Sequence, residues 1–223
     1  MQKRLWMPIA AILMMPMHIY ALNSSVTVSD GTSGFGLHLA LPVSDKFNAR
    51  FGANYYTFAL NNTTQIIGSK YNLVFKSLDL LVDWYPLDSP VRLTAGIVYN
   101  RNSVSTGTFF ADPSYIQNNG IQLNMNDLGE IKVNVGFRKI APYLGIGYGN
   151  AITQSERWTF SGDIGYLFQG TPVVTLENHN CKLGPYCEVI LGPLLDAERN
   201  NLQTGFEKLK RYPIIRVGIS YRF

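Results

Sequence analysis

Histidine and cysteine are scarce in this chain, three and two among 223 residues, and charged residues make up only 15%. So little histidine leaves few ways to build a metal centre or an acid–base pair. No His-Glu-x-x-His, Gly-x-Ser-x-Gly or phosphate-loop pattern stands in the sequence, and no cofactor is expected. The basic residues are dispersed rather than clustered, which argues against a nucleic-acid partner. The formal charge of +4 falls to +2 once Lys3 and Arg4 are set aside with the leader described below. No run of ~18 consecutive apolar residues follows residue 21, so no spanning helix is expected.

What is present points to export. Lys3 and Arg4 precede a mostly apolar run from Leu5 to Met17, and Ile19-Tyr20-Ala21 offers a cleavage site. Residues 1–21 therefore read as a secretory signal peptide, with an uncleaved interfacial helix as the alternative; the run is short and Pro8 and Pro16 interrupt it. The remainder, 22–223, reads as one domain. Aromatic residues reach 13% and mean hydropathy is close to zero, +0.01. A helical membrane protein would be far more apolar, whereas a transmembrane barrel averages an apolar outer face with a polar lumen.

The pattern along the chain supports the barrel. In a strand, successive side chains point to opposite faces. In the last segment Ile215, Val217, Ile219, Tyr221 and Phe223 alternate with Arg216, Gly218, Ser220 and Arg222. Similar alternation runs through Phe35–Leu41, Asn48–Tyr55, Ser77–Trp84, Arg92–Asn100, Glu130–Arg138, Tyr143–Gly149 and Arg157–Tyr166. A series of this kind behind an export signal predicts an all-β, closed antiparallel transmembrane barrel in the outer membrane of a Gram-negative bacterium.

Connection lengths set the expected orientation. Pro42–Phe47, Pro86–Val91, Lys139–Pro142 and Gln169–Thr171 are short, whereas Leu60–Tyr71, Arg101–Gly129 and Asn150–Glu156 are longer. Short turns are expected in the periplasm and longer loops outside. Adding Ser25–Ser29 at the start and Thr171–Leu176 before the last strand gives ten strands, with eight as the alternative. Between Pro193 and Arg211, Leu195, Leu202, Phe206 and Leu209 form one helical stripe, so a helix over 193–211 is expected before the last strand, with Pro193 in its first turn. It is expected to cover the barrel end, or to act as a gating plug. Cys181 and Cys187 enclose a short loop; in an exported protein they read as a local disulfide, with free thiols as the alternative.

Several stretches resemble a family of proteobacterial outer-membrane β-barrel proteins with no assigned biochemical role. They are Asp83-Trp84-Tyr85-Pro86, the run from Ala141 to Ala151, the run from Asp163 to Pro172, and Tyr212-Pro213 with Val217–Phe223. The resemblance covers nearly all of the chain after the leader, and the cysteine segment is not part of the family pattern. It implies an outer-membrane barrel surrounded by lipid and lipopolysaccharide. The terminal Tyr221 and Phe223 resemble the signal that barrel-assembly machinery reads, so that machinery and periplasmic chaperones are the expected partners.

The inward charges form the candidate site: Arg50, Asp79, Asp83, Arg92, Glu130, Lys132, Arg138, Asp163, Arg216 and Arg222. In a narrow barrel side chains fill the interior, and unpaired buried charge is costly enough to demand partners. The expected arrangement is a salt-bridged, non-enzymatic lumen. A narrow porin-like passage is the first alternative; surface recognition through the 101–129 loop, with Phe109, Phe110, Tyr115 and Ile116, is the second. His38 is the inward histidine; the inward carboxylates Asp79 and Asp83 can approach it or Asp163, and a buried polar network is its expected setting.

Overall fold

The computed structural model describes residues 24–63, 67–87, 89–110, 115–118, 121–124, 127, 129–150, 152 and 157–223. The expected signal peptide, 1–21, lies outside the described residues. Thirteen strands follow one another: β1 Ser25–Gly31, β2 Phe35–Ser44, β3 Phe47–Thr63, β4 Ile67–Trp84, β5 Val91–Asn100, β6 Ser103–Phe110, β7 Tyr115–Asn118, β8 Ile121–Asn124, β9 Glu130–Gly136, β10 Ile140–Tyr148, β11 Trp158–Leu167, β12 Val173–His179 and β13 Tyr212–Arg222. A helix, α1 (Tyr186–Phe206), and a 3-10 turn over Glu207–Lys210 precede β13.

Eight of these strands close a barrel in the order β1-β2-β3-β4-β5-β10-β11-β13, with β13 antiparallel to β1. The expectation of ten strands is corrected here. Segment 130–138 forms β9 and segment 171–176 falls in β12, and neither lies in the barrel wall. They extend a second stretch of sheet, β4-β6-β9-β12. Strand length is the physical reason. A membrane-crossing strand needs ~9–11 residues, but β3 and β4 have 17 and 18. Only Ser77–Trp84 of β4 pairs with β5; its other part, from Ile67 to Val74, pairs with β6.

The two ends of the barrel therefore differ. Ser25 pairs with Arg222 at the near end, which also carries the β2–β3 and β4–β5 turns and the connection from Tyr148 to Trp158. The far end carries the tight β1–β2 turn, closed by Gly34 with φ 89°, and the whole outer sheet. Two short connections expected on the periplasmic side, Lys139–Pro142 and Gln169–Thr171, fall at the far end. The expected outer loop, Asn150–Glu156, links strand ends of β10 and β11 that lie at the near end, and its residues 151 and 153–156 are outside the described residues. Removing two strands from the count preserves overall parity but reverses β10 and β11, which explains both exchanges.

The helix also differs from expectation. It starts at Tyr186 and holds Pro193 in its interior. Cys187 in its first turn is bonded to Cys181, with Cα atoms 6.3 Å apart. Leu195, Leu202, Phe206 and, in the following turn, Leu209 are half-buried. Gln203 accepts a bond from the Val174 amide at 3.2 Å and donates to the Pro172 carbonyl at 2.6 Å, so α1 rests on the start of β12. No described helix is long and apolar enough to cross a membrane.

Alternation sorts the barrel side chains. Outward positions form an apolar belt that includes Leu37, Phe51, Leu80, Ile146, Phe160 and Ile219. Near its lower rim Phe47 stacks on Trp84 at 6.2 Å, and Trp158 and Phe223 both meet Tyr221 edge-on, at 4.9 and 5.4 Å. Inside, Leu81, Val98, Ala141, Tyr143, Leu167 and Ile214 form one apolar cluster. The rest of the described barrel interior is largely polar.

Candidate functional site

The bore is built from inward residues of six barrel strands. Arg50 comes from β3, Asp79 and Asp83 from β4, Arg92 from β5, Asp163 from β11, Arg216 from β13 and His38 from β2. All seven are buried, none more than 5% exposed. Three arginines meet three aspartates, so the set is balanced in formal charge before His38 is considered.

Arg50 presents its fork to Asp163, with Nη1 at 2.9 Å from Oδ2 and Nη2 at 3.3 Å from Oδ1, and Nη2 also reaches Asp83 at 3.0 Å. Arg92 donates from Nη2 to Asp163 at 2.8 Å, lies 3.6 Å from Asp83 through Nε, and donates from Nη1 to the Gly149 carbonyl. Thr94 donates to Asp83 at 2.6 Å. These five residues form one closed circuit, and paired forks of this kind are among the stronger charge-assisted hydrogen bonds.

A second group stands beside it. Asp79 accepts from Arg216 at 3.0 Å, from Asn54 at 2.8 Å and from Ser77 at 3.1 Å. His38 faces Asp79 through Nε2 at 3.3 Å and Ser29 through Nδ1 at 3.4 Å. In sequence of contact this is hydroxyl, imidazole and carboxylate, but Ser29 is 3% exposed and His38 1%. A methyl group added at Gly52 would stand 1.9 Å from the imidazole, and one at Gly36 would meet Asn54, Ser29 and His38 within 2.7 Å. Glycine at both positions gives the ring its space.

Position around the wall gives the contacts their meaning. Arg50 and Asp163 stand on strands four apart in a ring of eight, as do Arg216 and Asp79. Two guanidinium groups therefore cross the bore from opposite sides. Below them, the polar gap bordered by Ser25, Asn48, Tyr85, Arg92 and Ser220 has a volume of about 20 Å³. That is room for one or two waters.

The remaining expected site residues lie elsewhere. Glu130 and Lys132 are on β9, paired with each other at 3.8 Å and partly exposed. Arg138 is exposed in the β9–β10 connection, where its amide donates to the Gln169 carbonyl. Arg222 is half-buried at the near end and donates to the Ile152 carbonyl at 3.1 Å. Tyr221 is half-buried and Phe223 is 61% exposed. Sequence reasoning omitted Asn54, Thr94 and Ser77 from the network. Their strand parity was the available signal, since each shares a face with a charge already chosen.

No protein-family model matches the chain, and a search of curated proteins finds no match. Among solved structures, the crystal structure of Acinetobacter baumannii CarO2 aligns over 90% of this chain and 98% of its own, with TM-score 0.56 and 19% identity. The crystal structure of Acinetobacter baumannii CarO aligns over 91% and 98%, with TM-score 0.54 and 17% identity. At such identities the likeness shows the fold alone, a closed antiparallel β-barrel.

Proposed function

We propose that this chain is an integral, non-enzymatic barrel of a Gram-negative outer membrane, occluded by its own ion pairs, that anchors the β6-β9-β12 sheet on the cell surface. The observation that carries it is the pair of arginines spanning the bore, Arg50 to Asp163 and Arg216 to Asp79. An eight-stranded barrel is just wide enough for side chains to fill, and here they do. The apolar outer belt and aromatic rim are the surface that lipid requires. The motif resemblance to proteobacterial barrels supports the same placement. The near end, with the β2–β3 and β4–β5 turns, faces the periplasm; the far end, with its long strands, faces outward. Phe223, exposed at the end of β13, is the residue offered to the assembly machinery.

A porin-like passage needs a continuous water path; the arginines spanning the bore, with a gap of only about 20 Å³ below them, support the occluded reading instead. Reconstitution into planar bilayers tests this. Protein whose heat-dependent gel mobility shows a folded barrel is expected to give no unitary conductance steps. Reproducible steps from that preparation overturn the occluded reading in favour of a channel.

A further inference from the structure

The outer wall carries a groove at its far end that the occluded-barrel reading leaves unused. It has a volume of about 500 Å³ and a floor at Ala53, the small residue in a row whose cross-strand neighbours are Leu37 and Leu78. Phe35, Tyr55 and Tyr99 stand around it, all exposed. A second groove of about 480 Å³ shares Leu78 and Tyr99 and continues past Leu80 toward the middle of the belt. Together they make an apolar trench running along the strands.

The top of the trench is cationic. Lys76 and Arg101 both border it and both are exposed. The Arg101 amide donates to the Lys76 carbonyl at 2.8 Å, and Ser77 pairs with Asn100 beside them, so the two cations face each other across the β4–β5 ladder. Like charges directly opposite in a sheet repel. Among the described residues neither makes an ion pair. An outward acid at this end, Asp30, stands three strands away on β1, roughly 14 Å at the usual interstrand spacing of ~4.8 Å. Arg138 and Lys139, also exposed, continue the basic rim before β10.

We infer that this trench seats one phosphorylated glycolipid of the outer leaflet, its acyl chains over Ala53 and Leu78 and a phosphate between Lys76 and Arg101. A bound phosphate relieves the repulsion and accepts charge-assisted bonds from both groups. This rests on the orientation proposed above, with the far end in the outer leaflet.

The test places the full chain in nanodiscs doped with bisphosphorylated lipid A, the same lipid after dephosphorylation, or phosphatidylglycerol. Retained lipid is counted by native mass spectrometry. About one bisphosphorylated lipid A per barrel is expected, with about tenfold or greater loss in the K76Q/R101Q double variant and a marked loss in A53F. Equal retention of the dephosphorylated lipid or of phosphatidylglycerol overturns the inference, as does undiminished retention by the double variant. Heat-dependent gel mobility is read on the same samples. A wild-type chain that inserts and folds but shows no preference removes the lipid site alone, whereas one that does not insert removes the barrel reading as well.

Discussion

The bore and the outer sheet are written in the same alternating code, yet they treat charge in opposite ways. In the bore, Asp163 binds two arginines and its side chain is 3% exposed. On the outer sheet, Glu130 and Lys132 approach only to 3.8 Å, with side chains 33% and 45% exposed. A closed wall takes inward polar groups out of bulk water, so each must find a partner or destabilise the fold. An open sheet leaves one face wet, and its charges need none. Closure, rather than strand sequence, makes an alternating polar face into a network.

Substitutions can break this contrast or sharpen it. Replacing Asp163 by Ala leaves the buried Arg50 and Arg92 to share Asp83 alone and is expected to cost ~3–5 kcal/mol, measured by urea unfolding of the barrel in lipid vesicles. Moving a guanidinium to the other side of the same wall should cost somewhat less: Ile219→Arg places it on the lipid face, at ~2–4 kcal/mol near mid-membrane, read by the same unfolding curve. Glu130→Ala on the outer sheet should change stability by ~0–1 kcal/mol, since an exposed pair is screened by water. A cost for Glu130→Ala equal to that of Asp163→Ala would end the distinction between the two regions.

The barrel strands were legible because an apolar outer belt on one side and a tight interior on the other impose strict alternation; Phe35–Leu41 and Arg92–Asn100 needed no further information. Strands β9 and β12 were misassigned for the same reason. Ile131, Val133 and Val135 alternate with polar residues as faithfully as a barrel strand does, and periodicity reports exposure of a face rather than its surroundings. The signal that distinguishes them is the lengths of β3 and β4, which run well past a membrane's thickness and need extra strands to pair with. Within the bore, the right charges on β3, β4, β5, β11 and β13 followed from parity. Which ones meet did not, because Arg50 and Asp163 are neighbours only after the sheet has curled fully round.

The contact between Arg216 and Asp79 ties charge to closure. Asp79 lies on β4, laid down early in the chain, and its guanidinium partner arrives on β13, the strand that seals the seam against β1. A sheet still open at that seam holds Asp79 beside His38, Asn54 and Ser77 but without a guanidinium. Sealing the cylinder and neutralising its buried carboxylate are therefore one event, so a half-zipped intermediate carries an electrostatic mark of being unfinished.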